Sequence, residues 1–235
     1  MRTGVCAIAV AMTLLVVPAG DALARPAAKA PAKVDWAHTF TVTPEGGFRM
    51  GDPKAGIAIV EYGSLTCPHC RHFAETAVKP LVDQYVRTGK ASYEFRSFVL
   101  NGIDLTATLV ARCTGPAHFF GMAEQLYATQ PQWMGKMENL PKEEQDRLAA
   151  LPNDQLLLEI AKRTGLLSIG AAHQIPVAKA ELCLKDDTAA KSLMAMVQAG
   201  ADLGVKGTPT FFVNGKQVPA YDWATLEPLL KEAGG

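Results

Sequence analysis

The sequence lacks several features that would assign it to a class at once. Its 23 Lys and Arg residues cancel its 23 Asp and Glu residues, and no Lys/Arg-rich run occurs. Nothing in the charge therefore points to a nucleic-acid partner or an anionic membrane surface. No internal repeat is visible, which excludes solenoids and propellers. The apolar run Val5 to Val17 has thirteen residues, whereas a helix needs about 20 to cross a bilayer of about 30 Å. Cysteine is scarce, 5 in 235 residues, too few for a disulfide-stapled mini-fold, so a hydrophobic core must carry the stability. Only one CxxC is present and the five histidines add no clear metal spacing, which argues against zinc. What is there, 49% hydrophobic and 20% charged residues, is ordinary for a globular chain. The length admits one domain, or one domain with a sizeable insertion.

The first two dozen residues read separately. Arg2, the apolar run and the small-x-small Ala22-Leu23-Ala24 form a signal-peptide pattern over residues 1–24, with a retained N-terminal anchor as the alternative. Cys6 stands at the start of the apolar run and not after it, so a lipoprotein anchor at that thiol is not expected. Residues 25–38, opening on "RPAAKAPAKVD", are expected to be a flexible tether. Export would leave four cysteines, Cys67, Cys70, Cys113 and Cys183, in a compartment where paired thiols tend to be oxidised.

Along the rest of the chain, "TFTVTPEGGFRMG" reads as two short strands around a turn, and Ile57 to Tyr62 as a buried strand. From Pro68 to about Arg87 the pattern is helical, with Phe73, Ala77, Leu81 and Tyr85 at four-residue steps. Tyr93 to Leu100 reads as a second core strand. From Asp104 to about Gly204 strand signal nearly vanishes and helical periodicity recurs. It returns at Pro209 to Val213, turns at Asn214-Gly215 and resumes at Gln217-Val218, a hairpin signature. Leu226 to Leu230 would sit in a closing helix. The expectation is an α/β fold of order β-α-β, helical insertion, β-β-α. Residues 39–103 and 204–235 would form one domain, interrupted by an all-helical domain at 104–203.

The chemistry is concentrated in "IVEYGSLTCPHCRHF", Ile59 to Phe73. A strand running straight into a helix places Cys67 at the helix N-terminus, with Pro68 in the first turn where proline is tolerated. Cys70, three residues on, shares its face and is close enough to bond. The free N–H groups and the positive end of the dipole favour a thiolate on Cys67. His69, when protonated, adds positive charge beside it. Each effect stabilises the reduced form, and a disulfide whose reduced form is stabilised is a strong oxidant. A purely structural CxxC disulfide is the blander alternative, but so short a loop stabilises little.

Glu61 stands six residues before Cys67 among Ile57, Ile59, Val60 and Tyr62. A carboxylate in such a run is costly unless protonated, paired or at the surface. Burial would raise its pKa and suit it to pass protons to or from Cys70. The alternatives are a strand-end position facing water and an ion pair with Arg96 on the next strand. His72 and His118 read as surface residues, Met194 and Met196 as packing, and Trp133 and Trp223 as core contacts.

These residues, the helical insertion and "GVKGTPTFFVNGK" together resemble DsbA-type thiol:disulfide oxidoreductases of the thioredoxin superfamily, from about Gly51 to the C-terminus. "FRSFVLNGIDLTATLVARC" and "ELCLKDD" are similar to the alphaproteobacterial-type, Com1-like branch. The resemblance implies a thioredoxin fold with an inserted all-helical domain, in the periplasm. It makes Cys67 the exposed nucleophile, Cys70 its buried partner in a redox-active disulfide, His69 the tuning residue and Glu61 the buried acid. Thr208 and Pro209 would face them as the substrate-binding cis-proline loop; the best-studied DsbA has valine where Thr208 stands, and disulfide isomerases also use threonine there. Cys113 and Cys183 resemble the second, structural disulfide of that branch, with two unpaired buried cysteines as the alternative.

The expected activity is thus dithiol oxidation of reduced exported polypeptides by a monomer, without metal or cofactor, with a DsbB-like membrane partner for reoxidation. Two alternatives stand beside it. One is an isomerase or reductase kept reduced, against which stand the short segment before the core and Thr66 in place of the tryptophan usual in cytochrome-maturation reductases. The other is a non-catalytic peptide-binding module, which has no need of His69.

Overall fold

In a computed structural model of the protein the described residues are 34–113, 115–138 and 140–235, with Met1 and Gly4. The expected signal peptide, and the tether as far as residue 33, lie outside them.

The strands β1 (Phe40–Val42), β2 (Phe48–Gly51), β3 (Ile57–Gly63), β4 (Ala91–Ser97), β5 (Thr210–Val213) and β6 (Lys216–Val218) form one mixed sheet in the order β1-β2-β4-β3-β5-β6. Only β3 and β4 pair in parallel, because a helical crossover joins them; the hairpins β1-β2 and β5-β6 and the remaining neighbours are antiparallel. The Asn214-Gly215 turn has φ of 50° and 77°, the left-handed pair that a two-residue hairpin demands. β4 ends three residues earlier than the apolar pattern suggests. The Leu100 N–H is taken by the Asp104 carboxylate at 2.9 Å instead of a neighbouring strand.

The crossover starts as α1 (Pro68–Phe73) and runs on through α2 (Lys79–Leu81) to Val86. Its turns widen to the π form at Ala74–Val78 and Val82–Val86. Pro80 between them lacks an N–H and would crowd the preceding turn of a regular helix. Phe73, Ala77, Leu81 and Tyr85 nevertheless stay on the buried face, packed with Ile57, Ile59, Tyr93 and Phe211.

Helices fill the stretch between β4 and β5: α3 (Gly102–Arg112), α4 (Pro116–Ala128), α5 (Gln130–Met134), α6 (Lys142–Ala149), α7 (Asn153–Thr164), α8 (Leu166–Ala172), α9 (Val177–Leu184) and α10 (Asp187–Asp202). The closing helix α11 (Trp223–Glu232) is capped by a reciprocal Asp222–Thr225 pair. The insertion shares one core with the dithiol strand: Phe119, Met122, Leu126, Trp133 and Leu166 pack with Leu65, Cys67 and Cys70. Met196 is buried, whereas Met194 is 44% exposed and packs little. No described helix is long and apolar enough to cross a membrane.

Cys113 and Cys183 are disulfide-bonded, closing α3 onto α9 across a sequence separation of 70. A cross-link over so long a loop restricts the unfolded chain, and removing it typically costs about 2–4 kcal/mol. The Cys113→Ala/Cys183→Ala double variant is therefore expected to lose that much in urea unfolding. Its thiol-exchange rate should be that of the parent, because neither sulfur touches Cys67 or Cys70.

Candidate active site

The site is assembled where β3 ends. Cys67 is the N-cap of α1, in extended conformation at φ −82° and ψ 123°, and Pro68 is the first helical residue. That geometry turns the Cys67 sulfur back over the helix end, where it accepts the Cys70 N–H at 3.5 Å. The two cysteines stand as a dithiol. Facing them, the Thr208-Pro209 peptide is cis, and the Thr208 carbonyl accepts the Cys67 S–H at 3.2 Å. The resemblance implies an exposed nucleophile, but this carbonyl covers it: Cys67 is 5% exposed and Cys70 0%. Of the two cysteines only Cys67 keeps any exposed surface.

The electrostatics separate the two thiols. The Cys67 pKa is lowered to about 5, first because the Cys70 thiol donates to it and then through the Thr208 side chain and the backbone N–H groups of Cys70 and His69, against the opposing effect of burial. The Cys70 thiol goes the other way, well above the ordinary range, because burial penalises its charge. The His69 imidazole is exposed, and the group His69 aims at the sulfur is its backbone N–H.

Glu61 is buried, 2% exposed. By strand alternation it lies on the same face as Ile57 and Ile59, beneath the crossover helix. Its pKa is pushed up to about 8, chiefly by burial, with Cys67 adding a like charge. Its partner is Tyr93, whose hydroxyl donates to Oε2 at 2.5 Å. The Arg96 pairing does not occur. In the parallel register Glu61 lies opposite Phe95 and Tyr62 opposite Arg96, which puts Arg96 on the other face. There Arg96 bonds Glu94 at 2.6 Å and Glu45 at 3.3 Å. Gly63 makes room for the acid, since a Cβ there would sit 2.8 Å from Glu61 Oε1 and 2.5 Å from the Phe95 ring.

Several functional neighbours carry no sequence signal. Tyr93, Asp104, Tyr127 and Gln130 are all buried, and each bonds to the acid or to the loop Ser64–Cys67. Burial raises Asp104 to about 6 against the hydrogen bonds it accepts from Ser64, Leu100, Leu65 and Thr108. Nothing local marks them, because they lie 32 to 65 residues from their partners. Beyond the dithiol, a shallow cleft of about 600 Å³ runs past Gly204, Lys206, Thr208, Pro209 and Gln217. Among the described residues no cluster of His, Cys, Asp and Glu is arranged to hold a metal ion. His72 and His118 are exposed, Trp133 is fully buried and Trp223 is partly buried.

A strand feeding a CxxC helix, with a cis-proline loop opposite, defines a dithiol site of the thioredoxin fold. The thioredoxin family's sequence model matches residues 43–232, and the chain belongs to that family. A Rickettsia conorii protein named for an inferred protein-disulfide oxidoreductase activity is 31% identical over 92% of this chain and 68% of its own length. The protein-disulfide isomerase of Novosphingobium aromaticivorans is 30% identical, with a TM-score of 0.74 over 80% of this chain and 97% of that one. Wolbachia pipientis alpha-DsbA1 shares the fold, with a TM-score of 0.64 at 21% identity over 82% and 92% of the two chains. The chain spans about three-fifths of the length of the similar Rickettsia felis and Rickettsia prowazekii proteins, 59% and 60%.

Proposed function

We propose that the protein is a periplasmic dithiol oxidase that introduces disulfides into reduced exported polypeptides. Residues 39–103 and 204–235 carry the exchange, and 104–203 form an inserted helical domain. The observation that carries this reading is the Cys67 sulfur set over the N-terminus of α1, accepting the Cys70 N–H, above a fully buried Cys70; it tunes the two thiols in opposite senses, Cys67 down to about 5 and Cys70 upward. At pH 7 a thiolate of that pKa favours the reduced protein by roughly 3 kcal/mol, or about 60 mV for a two-electron couple. The oxidised protein is then driven to accept electrons.

The proposed exchange runs in two attacks. A substrate thiolate attacks the Cys67 sulfur of the Cys67–Cys70 disulfide; a Cys67–substrate bond forms and Cys70 leaves with the electron pair. Buried Cys70 cannot hold the charge, and Glu61, protonated at pH 7 by its pKa of about 8, supplies the proton. A second substrate thiolate then attacks the substrate sulfur of the mixed disulfide. Cys67 departs as a stable thiolate, which a low pKa favours. The substrate gains its disulfide and the protein leaves as the dithiol, to be reoxidised by a DsbB-like membrane partner. Thr208 and Pro209 position the substrate: an extended chain can add beside the cis loop as a strand.

The competing isomerase reading takes its support from the name of the Novosphingobium relative. Reduced and scrambled ribonuclease separate the two. The oxidised protein is expected to reactivate reduced ribonuclease stoichiometrically, while its dithiol form leaves scrambled ribonuclease inactive. Efficient unscrambling with no net oxidation would overturn the oxidase reading.

A further inference from the structure

The loop that delivers the nucleophile is held by side chains of the helical insertion. Ser64, Leu65 and Thr66 are all buried, so their backbone groups need partners away from water. Gln130, the first residue of α5 and 4% exposed, donates both amide hydrogens of Nε2, to the Leu65 carbonyl at 2.8 Å and the Cys67 carbonyl at 3.1 Å. The Tyr127 hydroxyl donates to the Ser64 carbonyl at 3.0 Å. Asp104, 0% exposed, accepts the Leu65 N–H at 3.0 Å and the Ser64 hydroxyl at 2.6 Å. None of these bonds joins the insertion to the sulfur itself.

We propose that Gln130, supported by Tyr127 and Asp104, is a positioning residue for Cys67, so that the helical insertion sets the angle at which the nucleophile meets the helix end. This rests on the reading of Cys67 as the nucleophile. The physical route is short. Gln130 fixes the peptide planes on both sides of Thr66 and Cys67, and those planes fix the extended φ and ψ that aim the sulfur at the Cys70 N–H. Without Gln130 the Cys67 carbonyl keeps the Arg71 N–H at 3.1 Å, but the Leu65 carbonyl is left unpaired. A buried carbonyl without a donor shifts its loop toward one, and this loop carries Cys67 with it. The insertion is thus part of the redox machinery and not only a cover over the sheet.

The test compares thiolate titrations by ultraviolet absorbance in the full-length reduced protein. Gln130→Leu keeps the side-chain bulk and removes both donors; it is expected to raise the Cys67 thiolate pKa by about one unit, a tenfold loss of thiolate at pH values below it. Trp133→Phe is the control, since Trp133 is buried on the same helix and its indole donates to Leu126, not to the loop. That variant should lose stability and leave the titration unmoved. Tyr127→Phe removes a single hydroxyl and should shift the pKa upward by less than Gln130→Leu. It carries the test alone should Gln130→Leu fail to fold. A Gln130→Leu or Tyr127→Phe titration that overlays the parent, or an equal shift in Trp133→Phe, would overturn the proposal. The parent value tests the oxidase reading, and the difference between parent and variant tests the clamp, so the two can fail separately.

Discussion

Replacing Cys67 by serine is expected to reduce the oxidation of a dithiol peptide to the uncatalysed rate, whereas Cys70→Ser accumulates covalent enzyme–substrate disulfides. The asymmetry follows from access and charge. Cys67 is the cysteine that keeps some exposed surface and has the low pKa, and Cys70 has neither. With a pKa of about 5 nearly all of Cys67 is thiolate at pH 7, where an ordinary cysteine of pKa about 8.5 would be about 3% thiolate. Serine at 67 leaves no sulfur that substrate can reach. Serine at 70 leaves the reactive sulfur in place but removes the group that resolves the mixed disulfide from within. Loss of oxidation is read with the dithiol peptide; trapping is read by non-reducing electrophoresis after mixing each reduced variant with a disulfide-bonded peptide, one sulfur of which the Cys67 thiolate attacks while the peptide's other sulfur leaves as thiolate. Equal trapping by the two variants would contradict the assignment of nucleophile and partner.

The second large effect belongs to Glu61. Because we propose it as the proton donor to the departing Cys70, its replacement by glutamine is expected to slow oxidation roughly 10²-fold at pH 7, the lower end of general-acid effects. In the parent that rate should fall as pH rises through about 8 and the acid ionises; in Glu61→Gln the limb should disappear. The same residue destabilises the fold at neutral pH. Its folded pKa of about 8 lies above the ordinary value of 4.5, so between those values the folded state holds a proton that the unfolded state has released. Stability is then full below about 4.5 and falls by about 1.4 kcal/mol per pH unit up to about 8. Glu61→Gln should remove this slope, leaving the reduced variant more stable than its parent at pH 8 by a few kcal/mol. Urea unfolding at pH 5 and pH 8 checks it. A slower variant with no gain in stability would mean that Glu61 is charged and paired in the folded state.

Much of this was legible in the residues themselves. The strand before Cys-Pro-His-Cys, the helix after it, the Asn214-Gly215 hairpin and the helical stretch between β4 and β5 follow from local patterns of period two and period 3.6, which neighbouring residues impose on each other. The acid in the apolar run stood out for a similar reason, since one charged residue among Ile and Val needs an explanation. What stayed hidden depends on register and on long-range closure. Tyr93 and Arg96 are equally plausible partners for Glu61 until the parallel pairing of β3 with β4 puts one on each face. Gln130 looks like any polar residue before a proline, and only the folded insertion brings it to a loop 63 residues earlier. The cover that Thr208 places over Cys67 likewise needs two distant segments to meet.

The opposed tuning of the two thiols is tested most directly by titrating Cys67 in the reduced protein, following thiolate absorbance with Cys67→Ser as the blank. The account predicts a single transition near pH 5, followed by no second one until well above pH 9, because burial holds Cys70 protonated. A first transition near the free-cysteine value of about 8.5 would contradict it: the reduced form would then gain nothing from the helix end, and the dithiol would be no oxidant.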